Sequence, residues 1–237
     1  MHRTSIKLVL LFLLALSPVG STLAQNHSTP PNVESKRVVL PKINYVIVDR
    51  DFTKYEAPLP KSRGQANQVE VIYFFWYGSD FSWKIDSQIR QWAARQPYPV
   101  LLSPSPVILG DSPYQILGAR IFFTLKMLGR EPDLGPLFFE AVQGKHVDMT
   151  NLQAIVDWFS VRGISDKHFL RVLNSNEVKA STLNVYRTMR DYQIEAVPTI
   201  VLDGEYKIRV STKTSPERVA AVAQFMAENL SKGGPRP

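Results

Sequence analysis

Residues 74–86 read FFWYGSDFSWKID: an aromatic run, a glycine, then two serines three apart, Ser79 and Ser82. The run begins earlier, and from Glu70 to Tyr77 it is almost continuously aromatic or β-branched. That pattern predicts a central strand covered on both faces. From Ser82 to Arg95, apolar Trp83, Ile85, Ile89 and Trp92 recur at helical spacing until Pro97 and Pro99 stop the pattern. Ser79 and Asp80 are residue types that start helices. The segment therefore reads as a buried strand running directly into a helix, with two small hydroxyls at the join.

Outward from this junction the remaining elements follow. Asn44 to Val48 is a short strand candidate, and residues 61–67 form a polar loop. Pro99 to Leu109 supplies a second extended segment, interrupted at Pro104 and Pro106. Ser112-Pro113 is an N-cap followed by a first-turn proline, opening a helix to about Met127 that Gly129 stops. Pro136 to Val142, Asn151 to Phe159 and Ser165 to Leu173 are further short helices, and Glu177 to Tyr192 is a longer one. Thr199 to Leu202 and Tyr206 to Val210 flank Asp203-Gly204, a strong hairpin signal. Ser215-Pro216-Glu217 caps a terminal helix ending near Leu230. The order β, β, α, β, helices, α, β, β, α predicts an α/β chain: a thioredoxin-like sheet with a helical insertion.

The chain has 237 residues, a formal charge of +7 and no cysteine. Arg3 and Lys7 precede an unbroken apolar run, Leu8 to Leu16, too short to span a ~30 Å hydrocarbon core. Thr22 and Ala24 then suit the −3 and −1 places of a cleavage site. This predicts a secretory signal peptide over residues 1–24, cut after Ala24, and a secreted or periplasmic protein. Loss of Arg3 and Lys7 lowers the charge from +7 to +5. The domain plan becomes a flexible tail over 25–42, the first part of the thioredoxin-like domain over 43–111, the helical insertion over 112–175, and the second part over 176–231. An exported chain without thiols has no disulfide staple and no dithiol chemistry of its own, nor a lipidated cysteine anchor. Lys and Arg are scattered, which argues against nucleic acid. His146 and His168 lie in the folded body without ligand spacing, so no metal or other cofactor is expected. No Gly-x-Ser-x-Gly elbow and no phosphate-cradling glycine loop is present.

Phe74-Phe75-Trp76-Tyr77-Gly78, a four-residue motif and a helix together resemble the DsbA family of periplasmic thiol oxidases. So do Val197-Pro198-Thr199 before a hairpin, PLFFEAVQ at 136–143 and YQIEAVPTIVLDGEYKI at 192–208. The resemblance covers residues 44 to 231. It implies a thioredoxin fold in which a cis-proline loop at Pro198 faces the start of the helix. It also implies that Ser79-Asp80-Phe81-Ser82 stands where the family carries Cys-X-X-Cys, and that Tyr73 stands where the family often keeps a buried acid. Serine forms no disulfide, and its anion is far more basic than the thiolate that a helix N-terminus stabilises. The chain therefore reads as a degenerate member with no catalytic residues for thiol exchange.

Three functional readings follow. In the first, Ser79 and Asp80 cap the helix, and the Val197-Pro198 loop offers a backbone edge to an extended peptide from an exported protein, in a chaperone-like or assembly role. Phe81, Val197 and Pro198 are its candidate contacts, with Phe81 the expected exposed aromatic and Trp83 expected in the core. In the second, Ser79-Asp80-Phe81-Ser82-Trp83 is similar to the Ser-X-X-Ser-Trp-like motif of kappa-class glutathione transferases and 2-hydroxychromene-2-carboxylate isomerases. There a serine hydroxyl donates to the glutathione sulfur; Asp80 replaces the usual proline and puts a negative charge beside that sulfur. In the third, the chain is a thiol oxidase whose two cysteines were engineered to serine. The retained signal, and the absence of the family's proline and histidine between the two positions, argue against it.

Overall fold

Every residue of the run Val69–Phe75 is buried in the computed structural model, which describes residues 38–39, 46–47, 52–57, 59, 68–208, 210 and 214–231. In chain order the strands are β1 (Val38–Val39), β2 (Val46–Ile47), β3 (Phe52–Lys54) and β4 (Val69–Phe75); helix α1 (Asp80–Ala94) and strand β5 (Val100–Pro106) follow. Five helices come next: α2 (Pro113–Met127), α3 (Glu131–Gln143), α4 (Leu152–Ser160), α5 (Asp166–Leu173) and α6 (Asn176–Asp191). The chain closes with β6 (Thr199–Leu202), β7 (Tyr206–Ile208) and α7 (Pro216–Ser231). The main sheet has the order β3-β7-β6-β4-β5. Only the β4–β5 pair is parallel. β1 and β2 form a separate antiparallel pair, so Val38–Val39, in the stretch expected to be tail, is paired backbone. The expected signal peptide and the 61–67 loop lie outside the described residues.

β4 is buried on both faces because each face meets helices. Val71, Tyr73 and Phe75 share one core with Ile85 and Ile89 of α1, Met226 of α7 and Phe138 of α3. Ile72 and Phe74 share another with Ala119 of α2 and Val185 and Met189 of α6. The insertion is continuous with the first core. Phe138, Phe159 and Phe169 stack in series at 5.0 and 4.7 Å between centroids, joining α3, α4 and α5.

The prolines predicted to interrupt β5 do not. Val107 N–H donates to the Phe75 carbonyl at 2.9 Å. Donors alternate along a parallel ladder, so the odd positions face β4 and the nitrogens of Pro104 and Pro106 fall on the free edge. Missing donors there cost nothing and blunt the edge against further pairing. Two other boundaries also differ from expectation. α3 starts at Glu131, not Pro136, which sits inside the helix; Glu131, Pro132 and Asp133 form its first turn. β3 has three residues, too few for any periodicity to show, and is held by pairing with β7 and by Phe52 packing edge-on to Tyr206 at 5.9 Å.

The hairpin forms where Asp203-Gly204 predicts it. Both residues have positive φ, 51° and 68°, as the central positions of a type I′ turn demand; the Glu205 N–H closes the turn on the Leu202 carbonyl at 2.9 Å, and the ladder resumes at Leu202↔Tyr206, so the connection is three residues long. A Cβ on Gly204 would strike the Leu59 carbonyl. Asp203 also anchors the turn to β4: its Oδ1 accepts the Glu70 N–H at 2.8 Å, and its own N–H donates to the Glu70 carbonyl at 2.8 Å. Among the described residues no helix is long and apolar enough to cross a membrane.

Candidate functional site

The strand-to-helix join is built by Ser79. Its N–H donates to the Trp76 carbonyl at 2.9 Å, closing the turn after β4, and its Oγ accepts the Ser82 N–H at 3.1 Å. Ser79 is thus the N-cap of α1, in extended conformation. Asp80, expected to share the capping, does not. Its carboxylate lies along the helix and pairs with Lys84 Nζ at 2.6 Å, both side chains more than half exposed. Ser82 is wholly buried, and its Oγ has no partner among the described residues. Position 79 is half-exposed and position 82 is closed off.

The two aromatics of the motif exchange their expected places. Phe81 is partly buried against the core, and Trp83 is 37% exposed. The buried stripe of α1 is Ser82, Ile85, Asp86, Ile89 and Trp92. Residue 83 lies two positions from 85, about 200° around the helix, on the solvent face. Tyr73, at the position implied for a buried acid, is fully buried and donates its hydroxyl to the Ser82 carbonyl at 2.6 Å. It fastens β4 to the first turn of α1.

Beneath the motif lies a charged cluster that the sequence reading overlooked. Asp86 is 3% exposed. Its Oδ2 accepts from Arg90 Nε at 2.9 Å, and Arg90 donates through a second nitrogen to Glu131 Oε1 of α3 at 2.8 Å. Burial raises the Asp86 carboxyl above its ordinary range; Arg90 opposes the shift and Glu131 adds to it. Tyr77 is pushed up too, by burial first and then by Glu131. The signal was present: 82, 85, 86 and 89 follow helical spacing, and Asp86–Arg90 is an i,i+4 pair.

The second half of the site is the loop before β6. The Val197–Pro198 peptide bond is cis, and Pro198 is buried. Thr199 donates its hydroxyl to the Ala196 carbonyl at 2.7 Å. β4 pairs with β6 in the register Phe74↔Thr199, so Trp76, just past the end of β4, and Val197, just before β6, lie at the same end of the two strands. Both pack on the second core. The structure therefore brings Val197, Pro198 and the residues leading into Ser79 to one end of two adjacent strands. His146 and His168 are exposed and far apart in the chain, and among the described residues no three metal-ligating side chains converge.

Residues 70–224 match the family described as DSBA-like thioredoxin domain. The chain belongs to that family. This DSBA-like chain is 26% identical over 179 residues to the thiol:disulfide interchange protein DsbA of Pseudomonas aeruginosa, covering 76% of this chain and 83% of that protein. It is 28% identical over 181 residues to the protein of the same name from Burkholderia cepacia, covering 76% and 84%. The crystal structure of Pseudomonas aeruginosa DsbA superposes with a TM-score of 0.69 over 78% of this chain and 94% of that one, at 24% identity. Thiol–disulfide interchange proceeds by thiolate attack on a disulfide sulfur, and this DSBA-like chain contains no cysteine.

Proposed function

We propose that this is an exported, redox-inactive DSBA-like protein that binds extended segments of other exported polypeptides in a chaperone-like or assembly capacity. The observation that supports it best is the loop beside α1. β6 begins pairing with β4 only at Thr199, and Val197 has no hydrogen-bond partner among the described residues. A short backbone edge is thereby left for an added strand. At the start of α1, Trp83 is exposed and Phe81 partly so. None of these features needs sulfur. Export rests on the N-terminal sequence, and N-terminal sequencing of the exported protein is expected to begin at Gln25.

The test is capture of exported proteins by the mature chain, beside binding of a fluorescent, reduced and carboxymethylated polypeptide. A Pro198→Thr variant serves as the control. Retention by the parent chain and loss in Pro198→Thr support the reading; equal retention by both sinks it. The glutathione reading has one observation in its favour. Ser79 Oγ accepts a bond from Ser82, which leaves its hydroxyl proton free to donate. Calorimetry at millimolar glutathione separates the two. No saturable binding is expected, and saturation abolished by Ser79→Ala would replace peptide binding with glutathione chemistry.

A further inference from the structure

Sulfur in this chain is thioether only: five methionines and no cysteine. Met1 lies in the expected signal peptide, and the other four differ in access. Met226 is wholly buried. Met189 is buried too, and its sulfur accepts the Ile108 N–H at 3.2 Å. Met149 is partly buried against the first core. Met127, the last residue of α2, is 50% exposed. Oxidation of a thioether follows its exposure, so Met127 is the sulfur that meets an oxidant first.

The setting of Met127 suits the oxidised product. Ser175 Oγ donates to the Met127 sulfur at 4.0 Å and, as the N-cap of α6, accepts the Val178 N–H at 3.2 Å. The hydroxyl proton is therefore already aimed at position 127 while the cap uses a lone pair. Thioether sulfur is a weak acceptor. A sulfoxide oxygen is a stronger one, and it stands off the sulfur by a bond length, which brings it within ordinary hydrogen-bond reach of Ser175. At a half-exposed side chain the added polar atom also stays in water. At Met189 or Met226 it would be forced into a packed core. Arg120 fastens the same junction without sulfur, donating to the Leu173 carbonyl at 2.9 Å and to Asn174 Oδ1 at 2.6 Å.

We propose that Met127 is an oxidant-reactive modification site, taking one oxygen atom from a peroxide to become a sulfoxide that Ser175 holds in place. The sulfur lone pair attacks one peroxide oxygen, an S–O bond forms and the O–O bond breaks. With hydrogen peroxide, the proton on the delivered oxygen passes to the departing hydroxide, which leaves as water. The thioether loses two electrons and the peroxide gains them. α2 and α6 stay joined through the bond from Ser175 to the sulfoxide, so the oxidised chain keeps its fold. The change is reversible, because methionine sulfoxide reductases return a sulfoxide to the thioether. This assignment is independent of the peptide-binding reading.

The test treats the mature chain with dilute hydrogen peroxide and follows each methionine by peptide mass spectrometry. Met127 is expected to gain one oxygen at least about tenfold faster than Met189 or Met226, and faster than Met149. Methionine sulfoxide reductases specific for each epimer should then remove it. Oxidation should leave the unfolding midpoint of the parent chain unchanged or raised, and should lower that of Ser175→Ala. Each chain is compared with its own unoxidised form, so the cap lost in Ser175→Ala cancels. Met127→Leu should abolish both the fast uptake and the midpoint response. Uptake at Met149 or at the buried pair as fast as at Met127 overturns the site. Fast uptake at Met127 with equal midpoint shifts in the parent and Ser175→Ala overturns the role of Ser175. A midpoint that falls in the parent makes the oxidation a lesion and overturns the claim that the fold is kept.

Discussion

At the α1 terminus, Ser79 and Asp80 divide the work of answering four orphan amides and a partial positive charge. Ser79 supplies the directed bond; Asp80 supplies charge and an i,i+4 partner for Lys84. Ser79→Ala is therefore expected to lower stability by about 1 kcal/mol, the usual loss for an N-cap. Asp80→Ala should cost no more than ~0.5 kcal/mol, as for an exposed helical ion pair, with the loss shrinking in high salt. Urea melts of both variants at two salt concentrations check the order, and a larger, salt-independent effect of Asp80→Ala would return the cap to Asp80. The sequence shows two capping residue types side by side but not which one turns inward. That depends on the Ser79 backbone being extended while Asp80 is already helical. Phe81 and Trp83 illustrate the same limit. Ile85, Ile89 and Trp92 defined the inner stripe, and extending it backwards reaches Ser82, a polar residue that counting hydrophobic side chains leaves out.

At the scale of elements, Arg90 is the joint between α1 and the insertion, bridging Asp86 and Glu131. Removing it leaves two carboxylates with no cation between them. Arg90→Met should destabilise the fold by about 2–3 kcal/mol, below the usual figure for a broken buried pair because Arg90 keeps 22% of its side chain exposed. Asp86 makes the same joint sensitive to pH. Burial lifts its folded pKa above the unfolded value, so the folded state takes up the proton first as pH falls. The stability this contributes is fully present below the unfolded pKa of ~3.9 and is lost as pH rises through the folded one. Asp86→Asn removes the buried anion but keeps an acceptor for Arg90. Its stability relative to the parent chain should therefore be greater at pH 8 than at pH 4, measured by denaturant midpoints across that range. A relative stability that is flat or reversed would show that Arg90 fully compensates the carboxylate. Most elements were legible because their signals are local: the β4 run, the Asp203-Gly204 turn and the α6 pattern. The α1–α3 joint was not, because it links residues 41 apart through charges that each look like ordinary surface groups in sequence.

For the whole molecule, two motifs more than a hundred residues apart made the fold readable, and the register Phe74↔Thr199 is what brings them together. What the sequence could not place is the surface cavity lined by Trp76, Gly78, Tyr114, Val147 and Met149, whose walls come from α2 and from the loop after α3. The larger question is whether the fold has lost only its sulfur or also the setting sulfur needs. The setting survives in outline: α1 is 15 residues long, position 79 is half-exposed at its N-terminus, and position 82 is buried behind it. A thiolate at 79 would receive the amides and dipole that Ser79 now caps. The parent chain should show no insulin-reduction turnover and the same unfolding midpoint with and without dithiothreitol, since nothing in it can be reduced. The Ser79→Cys/Ser82→Cys variant should form one intramolecular disulfide and gain turnover well above that blank. Its midpoint should then respond to reductant. If the double variant forms the disulfide yet stays inert, the loss extends beyond sulfur, with Tyr73 at the position implied for an acid as the first residue to change. If the disulfide does not form, the unpartnered space around Ser82 Oγ is too tight for sulfur, and the site is a dedicated hydroxyl cap rather than a vacated redox centre.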